Sequence, residues 1–235
     1  MVCLPTYNER ENLESMVSAL AEVLPAESRI LVIDDNSPDG TGEIADRLAA
    51  EQESVEVLHR PRKEGLGPAY LAGFRRALEL GADLVLEMDC DFSHDPADVP
   101  RLAAAAAEVD LVLGSRYVPG GGTKNWGRIR RLISRGGSLY AQVLLGVSVR
   151  DLTGGFKCYR RAVFEAIDLD AIESKGYAFQ IETTYRALRA GFRVVEVPIV
   201  FADREVGGSK MSNAIVLEAI WKVPALRLSR LRPRA

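Results

Sequence analysis

Asp83-Leu84-Val85-Leu86-Glu87-Met88-Asp89-Cys90-Asp91-Phe92-Ser93-His94-Asp95-Pro96 is the stretch on which the fold turns. An apolar strand, Asp83–Met88, runs directly into two carboxylates spaced i, i+2. In extended backbone such residues share one side of the chain, so Asp89 and Asp91 are expected to reach one hard cation together. The carboxyl end of a strand is where open α/β sheets place their ligands. Mg²⁺ or Mn²⁺ held by one or two carboxylates leaves its other positions to water and substrate phosphate. Cys90, between the aspartates, is expected to point the other way, into the core. The plainer reading of Asp-x-Asp alone is a solvated turn or a helix cap.

Working outward, the segments before residue 114 alternate between strand and helix patterns. Strands are expected at Val2–Pro5, Arg29–Asp34, Val55–His59, Asp83–Met88 and Asp110–Gly114. A helix is expected to start at Asn8-Glu9-Arg10-Glu11, where an N-cap residue is followed by Glu. Another should open at Gly67-Pro68 and stop at Gly81, and a third should open at Asp95-Pro96. Repeated strand–helix–strand units predict an α/β fold, with a mostly parallel central sheet and helices on both faces. Beyond 114 the pattern is less regular. It offers a glycine-rich loop at Gly120–Gly122, a basic amphipathic helix near Ile129–Leu145, and a helix near Phe179–Ala190. A strand at Val194–Val197 and a last helix from about Ser212 follow. With no repeat or linker, 1–235 reads as one domain: a nucleotide and metal half over 1–114, an acceptor half over 115–211, and a basic amphipathic tail over 212–235.

Composition bounds the function. The chain has 235 residues, 47% apolar and 27% charged, which is ordinary for a globular protein. No apolar run approaches the roughly 18–20 residues that span a bilayer, and Met1–Pro5 does not read as a secretory signal. Three dispersed cysteines, Cys3, Cys90 and Cys158, fit reduced thiols in a cytoplasmic protein rather than a metal site. The net charge of −3 hides a segregation. Leu111 to Arg150 contains no acid, but holds Arg116, Lys124, Arg128, Arg130, Arg131, Arg135 and Arg150. From Lys222 the tail is purely basic, while the first hundred residues are acid-rich. One half suits a cation and the other suits anions. Nucleic acid is a poor partner: few aromatics interleave the arginines, and the carboxylate edge would repel a backbone.

Two further clusters share the predicted sheet edge. Pro5-Thr6-Tyr7-Asn8-Glu9 follows the first strand, and Asp34-Asp35-Asn36-Ser37-Pro38-Asp39-Gly40 follows the second. Carboxylates there can accept from ribose or base, and a tyrosine can stack on a base. Each aspartate alone could equally cap a helix or shape a turn. Neither a dinucleotide fingerprint nor a P-loop is present. His94 reads as a turn or supporting residue and His59 as structural.

These stretches, together with Gly65-Leu66-Gly67, Gly114-Ser115-Arg116-Tyr117 and Gly208-Ser209-Lys210-Met211-Ser212, resemble glycosyltransferase family 2. Within it they are similar to the branch that transfers mannose to polyprenyl (dolichyl-type) phosphates. The likeness covers nearly the whole chain in order. It implies a GT-A (Rossmann-like) fold, a GDP-mannose donor, a divalent metal and inversion at the anomeric carbon. It implies that Pro5, Tyr7, Glu9, Ile33 and Asp35 line the guanosine pocket, and that Asp89, Cys90 (by its backbone) and Asp91 meet the diphosphate and metal. Ser93 stands where relatives often carry a glutamine metal ligand. Arg116, Arg204 and Lys210 would contact phosphates, the last two from a glycine-flanked flap. Trp126, Arg130 and Ser134 share a helical face at i, i+4, i+8, so Arg130 and Ser134 are assigned to the acceptor phosphate, with Arg131 as the alternative. Gln180 and Glu182 are expected to face the sugar. Arg116→Ala should cut turnover with the fold intact. Relatives often begin with a longer first strand, so the start of the chain is expected to be trimmed.

An acceptor phosphate monoester is largely a dianion at neutral pH, its second pKa being about 6. It therefore needs orientation and charge compensation more than a general base. The apolar residues of the tail (Ile215, Val216, Leu217, Ile220, Trp221, Leu226, Leu228, Leu231) and those of the basic helix (Leu139, Val143, Leu144, Val147) suit either core packing or an anionic membrane surface, and a separate membrane protein could supply an anchor. Two competing readings are another sugar nucleotide such as UDP-glucose, and a non-catalytic nucleotide-binding subunit.

Overall fold

The computed structural model describes residues 1–203 and 213–228, and for 213–219 the backbone only. Its strands are β1 (Val2–Thr6), β2 (Ile30–Asp34), β3 (Val55–His59), β4 (Leu84–Glu87), β5 (Leu111–Ser115), β6 (Gly122–Lys124), β7 (Lys157–Arg160), β8 (Val194–Pro198) and β9 (Val200–Ala202). Its helices are α1 (Leu13–Val23), α2 (Thr41–Glu51), α3 (Leu66–Glu79), α4 (Val99–Ala105), α5 (Arg128–Leu145), α6 (Arg161–Ala166), α7 (Tyr177–Arg189) and α8 (Asn213–Leu228). Seven strands form one sheet in the order β3-β2-β1-β4-β7-β5-β8, and β6 and β9 pair separately. That sheet draws strands from both the 1–114 and 115–211 stretches.

Alternation along the strands explains why helices cover both faces. Val2 and Leu4 of β1, with Ile30 and Val32 of β2, pack among Leu13, Leu20, Leu48 and Leu102 from α1, α2 and α4. Cys3, Leu31 and Ile33 point the other way, among Tyr70, Phe74, Phe179 and Tyr185 from α3 and α7. Strands buried on both faces are the mark of a parallel sheet, and β1/β2, β2/β3, β1/β4 and β5/β8 are parallel. Gly73 is required for this packing, because a Cβ there would collide with the Ile33 side chain.

Three expectations are corrected. α1 begins at Leu13, with Asn12 rather than Asn8 before it. Asn8 adopts φ 57°, and the Glu9 carbonyl accepts from Asn12 and Leu13, so a left-handed turn precedes the helix. β7 was not expected: it lies antiparallel between β4 and β5 in an otherwise parallel region. The short parallel pair β6–β9 was also not expected.

β7 brings Lys157 opposite Glu87 across the ladder. Both are fully buried, with Nζ 3.5 Å from Oε1. Burial pushes the Glu87 carboxyl up to about 7 against the pull of Lys157, and burial also lowers the Lys157 ammonium.

The site-forming feature is the divergence at β1. It continues beside β2 as far as Thr6↔Asp34, but its pairing with β4 stops at Cys3↔Glu87. The strand order reverses here, and a crevice opens at the carboxyl ends of β1, β2 and β4.

Candidate active site

At the β1–β2 side of the crevice the carboxylates divide their labour. Asp34 accepts from Thr6 Oγ1 (3.2 Å), Ser37 Oγ (2.6 Å) and Ser37 N (3.1 Å), so it shapes the turn. Asp39 accepts from Thr41 N (3.0 Å) and Oγ1 (2.6 Å) at the start of α2 and from Arg10 N (3.2 Å). Asp35 is buried and ion-paired with Arg60, which also bonds Glu64 at 3.0 Å. Burial raises the Asp35 carboxyl above its ordinary value despite Arg60. Lys63 Nζ stands 3.9 Å over the Tyr7 ring. Glu9 is buried and accepts from Asn12 Nδ2 at 2.8 Å, and Pro5 is half-buried in β1. Ile33 is a correction: its side chain is fully buried against α3, so it cannot line an open pocket except through its backbone.

β4 ends at Glu87, one residue earlier than expected, and the chain turns through Asp89–Asp95. Cys90 is buried among Leu86, Met88 and Val99, as alternation requires. Asp89 accepts from the Tyr70 hydroxyl at 3.5 Å. Asp91 is buried and its Oδ1 accepts from Ser93 N at 3.0 Å, a turn in which Phe92 takes φ 57°. Ser93 is buried beside it. His94 Nδ1 accepts from Asp89 N at 3.4 Å, and its ring stacks on Phe156 (4.8 Å) and meets the edge of Phe201 (5.1 Å). Burial drives His94 down to about 4, Arg116 adding to the effect while Asp91 and Asp151 oppose it. The imidazole is therefore neutral at pH 7, a supporting residue as expected. Its contact with Phe201 also joins the two walls, since the Arg116 guanidinium (5.5 Å) and Trp126 (5.3 Å) lie against the same ring.

Arg116 follows β5. Its Nε and Nη2 grip Asp151 at 2.7 and 2.6 Å, its backbone N–H reaches the same carboxylate at 2.9 Å, and Nη2 also bonds Thr153 Oγ1 at 2.9 Å. Burial alone would weaken the charge, but the Asp151 carboxylate outweighs it and raises the guanidinium's pKa. Trp126 has both Arg116 (Cζ to ring 5.5 Å) and Arg130 (4.3 Å) against its ring, and it packs edge-on with Phe201 at 5.3 Å. Arg130 Nη1 bonds Asp203 at 2.7 Å. Ser134 Oγ accepts from the Tyr117 hydroxyl at 2.7 Å. Arg131 is exposed and turns to Thr123 (3.1 Å), so of the two arginines Arg130 joins the cluster.

Gln180 and Glu182 do not face the crevice. The Gln180 amide oxygen accepts from Lys157 Nζ at 2.6 Å, and Glu182 is held by Ser174 (2.5 Å) and Arg186 (2.8 and 2.7 Å). Arg204 and Lys210 lie outside the described residues. The sequence reading missed Asp151 and Asp203. A signal was available for Asp151, the first acid after the basic stretch that ends at Arg150, whereas Asp203, followed by Arg204 and Glu205, stood out in no way. It also missed Tyr117, Arg60 and Lys63, whose roles depend on partners distant in the chain.

The donor set at Asp89, Asp91 and Ser93 is all oxygen, which fits a hard divalent ion. Among the described residues no group of three or more His, Cys, Asp or Glu gathers at one point. An ion here would therefore be only partly enclosed by protein, as suits Mg²⁺ shared with a diphosphate.

The family profile for glycosyl transferase family 2 matches residues 1–168. An undecaprenyl-phosphate mannosyltransferase of Micrococcus luteus is 52% identical, over 100% of this chain and 98% of its own. A polyprenol monophosphomannose synthase of Mycolicibacterium smegmatis is also 52% identical, over 95% of this chain and 84% of its own. Among solved structures, glucosyl-3-phosphoglycerate synthase from Mycobacterium tuberculosis with Mn²⁺, UDP and glucosyl-3-phosphoglycerate superposes with a TM-score of 0.67 at 21% identity, covering 98% of this chain and 78% of that one. The same enzyme with Mg²⁺ and UDP gives 0.70 at 18% identity, covering 96% and 78%. These structures share the fold, a GT-A glycosyltransferase architecture, and the profile and relatives settle the kinship: the chain belongs to glycosyl transferase family 2.

Proposed function

We propose that the chain transfers mannose from GDP-mannose to a polyprenyl phosphate, with a divalent metal and with inversion at the anomeric carbon. One observation carries this reading. A carboxylate loop suited to a metal diphosphate and an arginine–tryptophan cluster suited to a second phosphate meet at His94 and Phe201. A phosphate oxygen of the acceptor attacks the anomeric carbon while the bond from that carbon to the diphosphate oxygen breaks and GDP leaves. Attack opposite the leaving group inverts the centre. Mg²⁺ or Mn²⁺ held by Asp89 and Asp91, with Ser93 beside them, would supply charge neutralisation for the leaving diphosphate. Asp35 and Tyr7, with Glu9 and Pro5, form the nucleoside end of the crevice. Arg130 and Ser134 orient the acceptor phosphate, and Arg116 sets the potential between the two phosphates. Arg204 and Lys210 are assigned to phosphates by the resemblance alone. The names of the two relatives at 52% identity favour mannose and a polyprenyl acceptor over UDP-glucose or a soluble sugar. The test is to incubate the protein and Mg²⁺ with polyprenyl phosphate and each labelled sugar nucleotide, then extract the lipid. Label should enter lipid from GDP-mannose, and transfer from UDP-glucose alone would overturn the donor assignment.

The lipid acceptor implies a membrane surface, and no helix among the described residues is long and apolar enough to cross one. α5 and α8 lie side by side, with the Tyr140 hydroxyl bonding the Ile220 carbonyl (2.8 Å) and Arg227 bonding the Leu145 carbonyl (3.1 Å). They expose Ile129 (76%), Leu132 (74%), Val143 (71%), Trp221 (77%) and Leu228 (84%). Exposed Arg128, Arg131 and Arg135 border these side chains on α5. Leu226 and Val147 instead serve the core. We assign this face to peripheral contact with the anionic cytoplasmic leaflet. An added anchor protein is not required by this reading. The protein should sediment with phosphatidylglycerol-containing vesicles, less so as salt rises, and Leu132→Asp with Val143→Asp should release it. Equal binding of the double variant, or equal binding to neutral vesicles in high salt, would remove the face from the proposal.

A further inference from the structure

Among the described residues, the buried side-chain polar atoms without a hydrogen-bond partner fall into two places. Both oxygens of Glu87 and the Gln180 amide nitrogen form one, beside Lys157. That set mixes acceptors with a donor, so its members can serve one another through a water. The second place is different. It holds Trp126 Nε1 and Arg130 Nε, both donors. Two donors cannot satisfy each other, and a buried donor left without an acceptor is costly. They are neighbours, the Arg130 guanidinium lying 4.3 Å from the centre of the indole. Trp126 is about nine-tenths buried. Arg130 is reachable from outside, its side chain 27% exposed. Its Nη1 already holds a carboxylate oxygen of Asp203 at 2.7 Å, so the guanidinium meets an anion at one edge while its buried Nε has no partner among the described residues.

We infer that Trp126 is a further binding residue for the acceptor: its indole N–H and Arg130 Nε together donate to an oxygen of the phosphate monoester. This rests on the polyprenyl-phosphate reading and adds a residue to it. The chemistry selects an oxyanion because a single anionic oxygen can accept both hydrogens. A water in the same place would accept both but would then need acceptors for its own two hydrogens.

The decisive measurement uses the whole chain labelled with ¹⁵N at tryptophan. The sequence has 2 tryptophans, so two indole signals appear, and Trp221→Phe assigns them. Titration with farnesyl phosphate should move the Trp126 indole proton downfield in a saturable way, while farnesol should not. In the transfer assay, Trp126→Phe keeps an aromatic ring but removes the N–H. Its KM for the lipid phosphate should rise about tenfold, as expected for a hydrogen bond to a charged group, with the KM for the sugar nucleotide unchanged. An indole that stays in place at saturating farnesyl phosphate, or that moves equally with farnesol, means its acceptor is an ordered water only and overturns the inference. Wild-type KM in Trp126→Phe does the same. If no sugar nucleotide supports transfer to lipid, the functional reading falls, and the titration still decides whether Trp126 binds a prenyl phosphate.

Discussion

Asp91→Asn is expected to lower transfer by about a hundredfold or more while the protein melts within a few degrees of wild type. The size follows from the charge that collects on the leaving diphosphate: removing one preorganised electrostatic partner of such a charge typically costs about 10²–10³ in rate. The retained stability follows from the geometry of the turn. Asp91 Oδ1 accepts the Ser93 N–H at 3.0 Å, and an asparagine oxygen can accept the same bond. His94 would lose a neighbouring carboxylate, but burial, the main cause of its depressed pKa, is unchanged, so the imidazole remains neutral at pH 7. The readout is kcat/KM at several Mg²⁺ concentrations beside a thermal melt. Saturating Mg²⁺ should recover part of the loss if the carboxylate's role is to hold the ion. Wild-type turnover in excess chelator would sink the metal role of Asp89 and Asp91 together.

How far the sequence was legible depended on whether the signal was local. The parallel half was readable because β1, β2 and β4 are buried on both faces and their ends are marked by punctuating Gly, Pro or Asp, as in Asp34–Gly40 and Asp89–Pro96. The crevice edge followed, since topology alone brings the carboxyl ends of β1, β2 and β4 together. β7 was hidden for a physical reason. Lys157-Cys158-Tyr159-Arg160 carries a cation at each end, and the inward-facing Lys157 is tolerated only because Glu87 and Gln180 wait for it on β4 and α7. No local pattern announces a buried lysine whose partners lie tens of residues away. The basic half was legible as charge but not as geometry. Composition showed arginines without acids; only the fold shows that Asp151, just outside that stretch, and Asp203, far beyond it, return to hold Arg116 and Arg130. Ile33 misled in the opposite sense, because a position between functional neighbours can still belong to the core.

Arg116 yields the other large effect, and here the structure reverses an expectation drawn from sequence. Arg116→Ala should not leave the fold intact. The guanidinium and Asp151 are 5% and 0% exposed, so deleting one partner strands a charge in the interior. Breaking a buried pair from one side costs about 3–5 kcal/mol. For a chain of this size about 1 kcal/mol corresponds to roughly 2–4 °C, so the melting temperature should fall by about 10 °C. Asp151→Ala should do comparable damage, since it also removes the acceptor of the Arg116 backbone N–H. Replacing both partners together is far milder in principle, because no uncompensated charge remains. Arg116→Met with Asp151→Asn puts an uncharged side chain of similar length beside Tyr117, Trp126 and Phe201 and keeps an oxygen for the backbone N–H. That double variant should recover most of the lost melting temperature and none of the lost transfer. Stability and catalysis then separate: the first needs the pair to match, whereas the second needs the positive charge between two phosphates. A double variant that regains both would show the guanidinium to be structural, and its place in the transfer step would have to pass to Arg130.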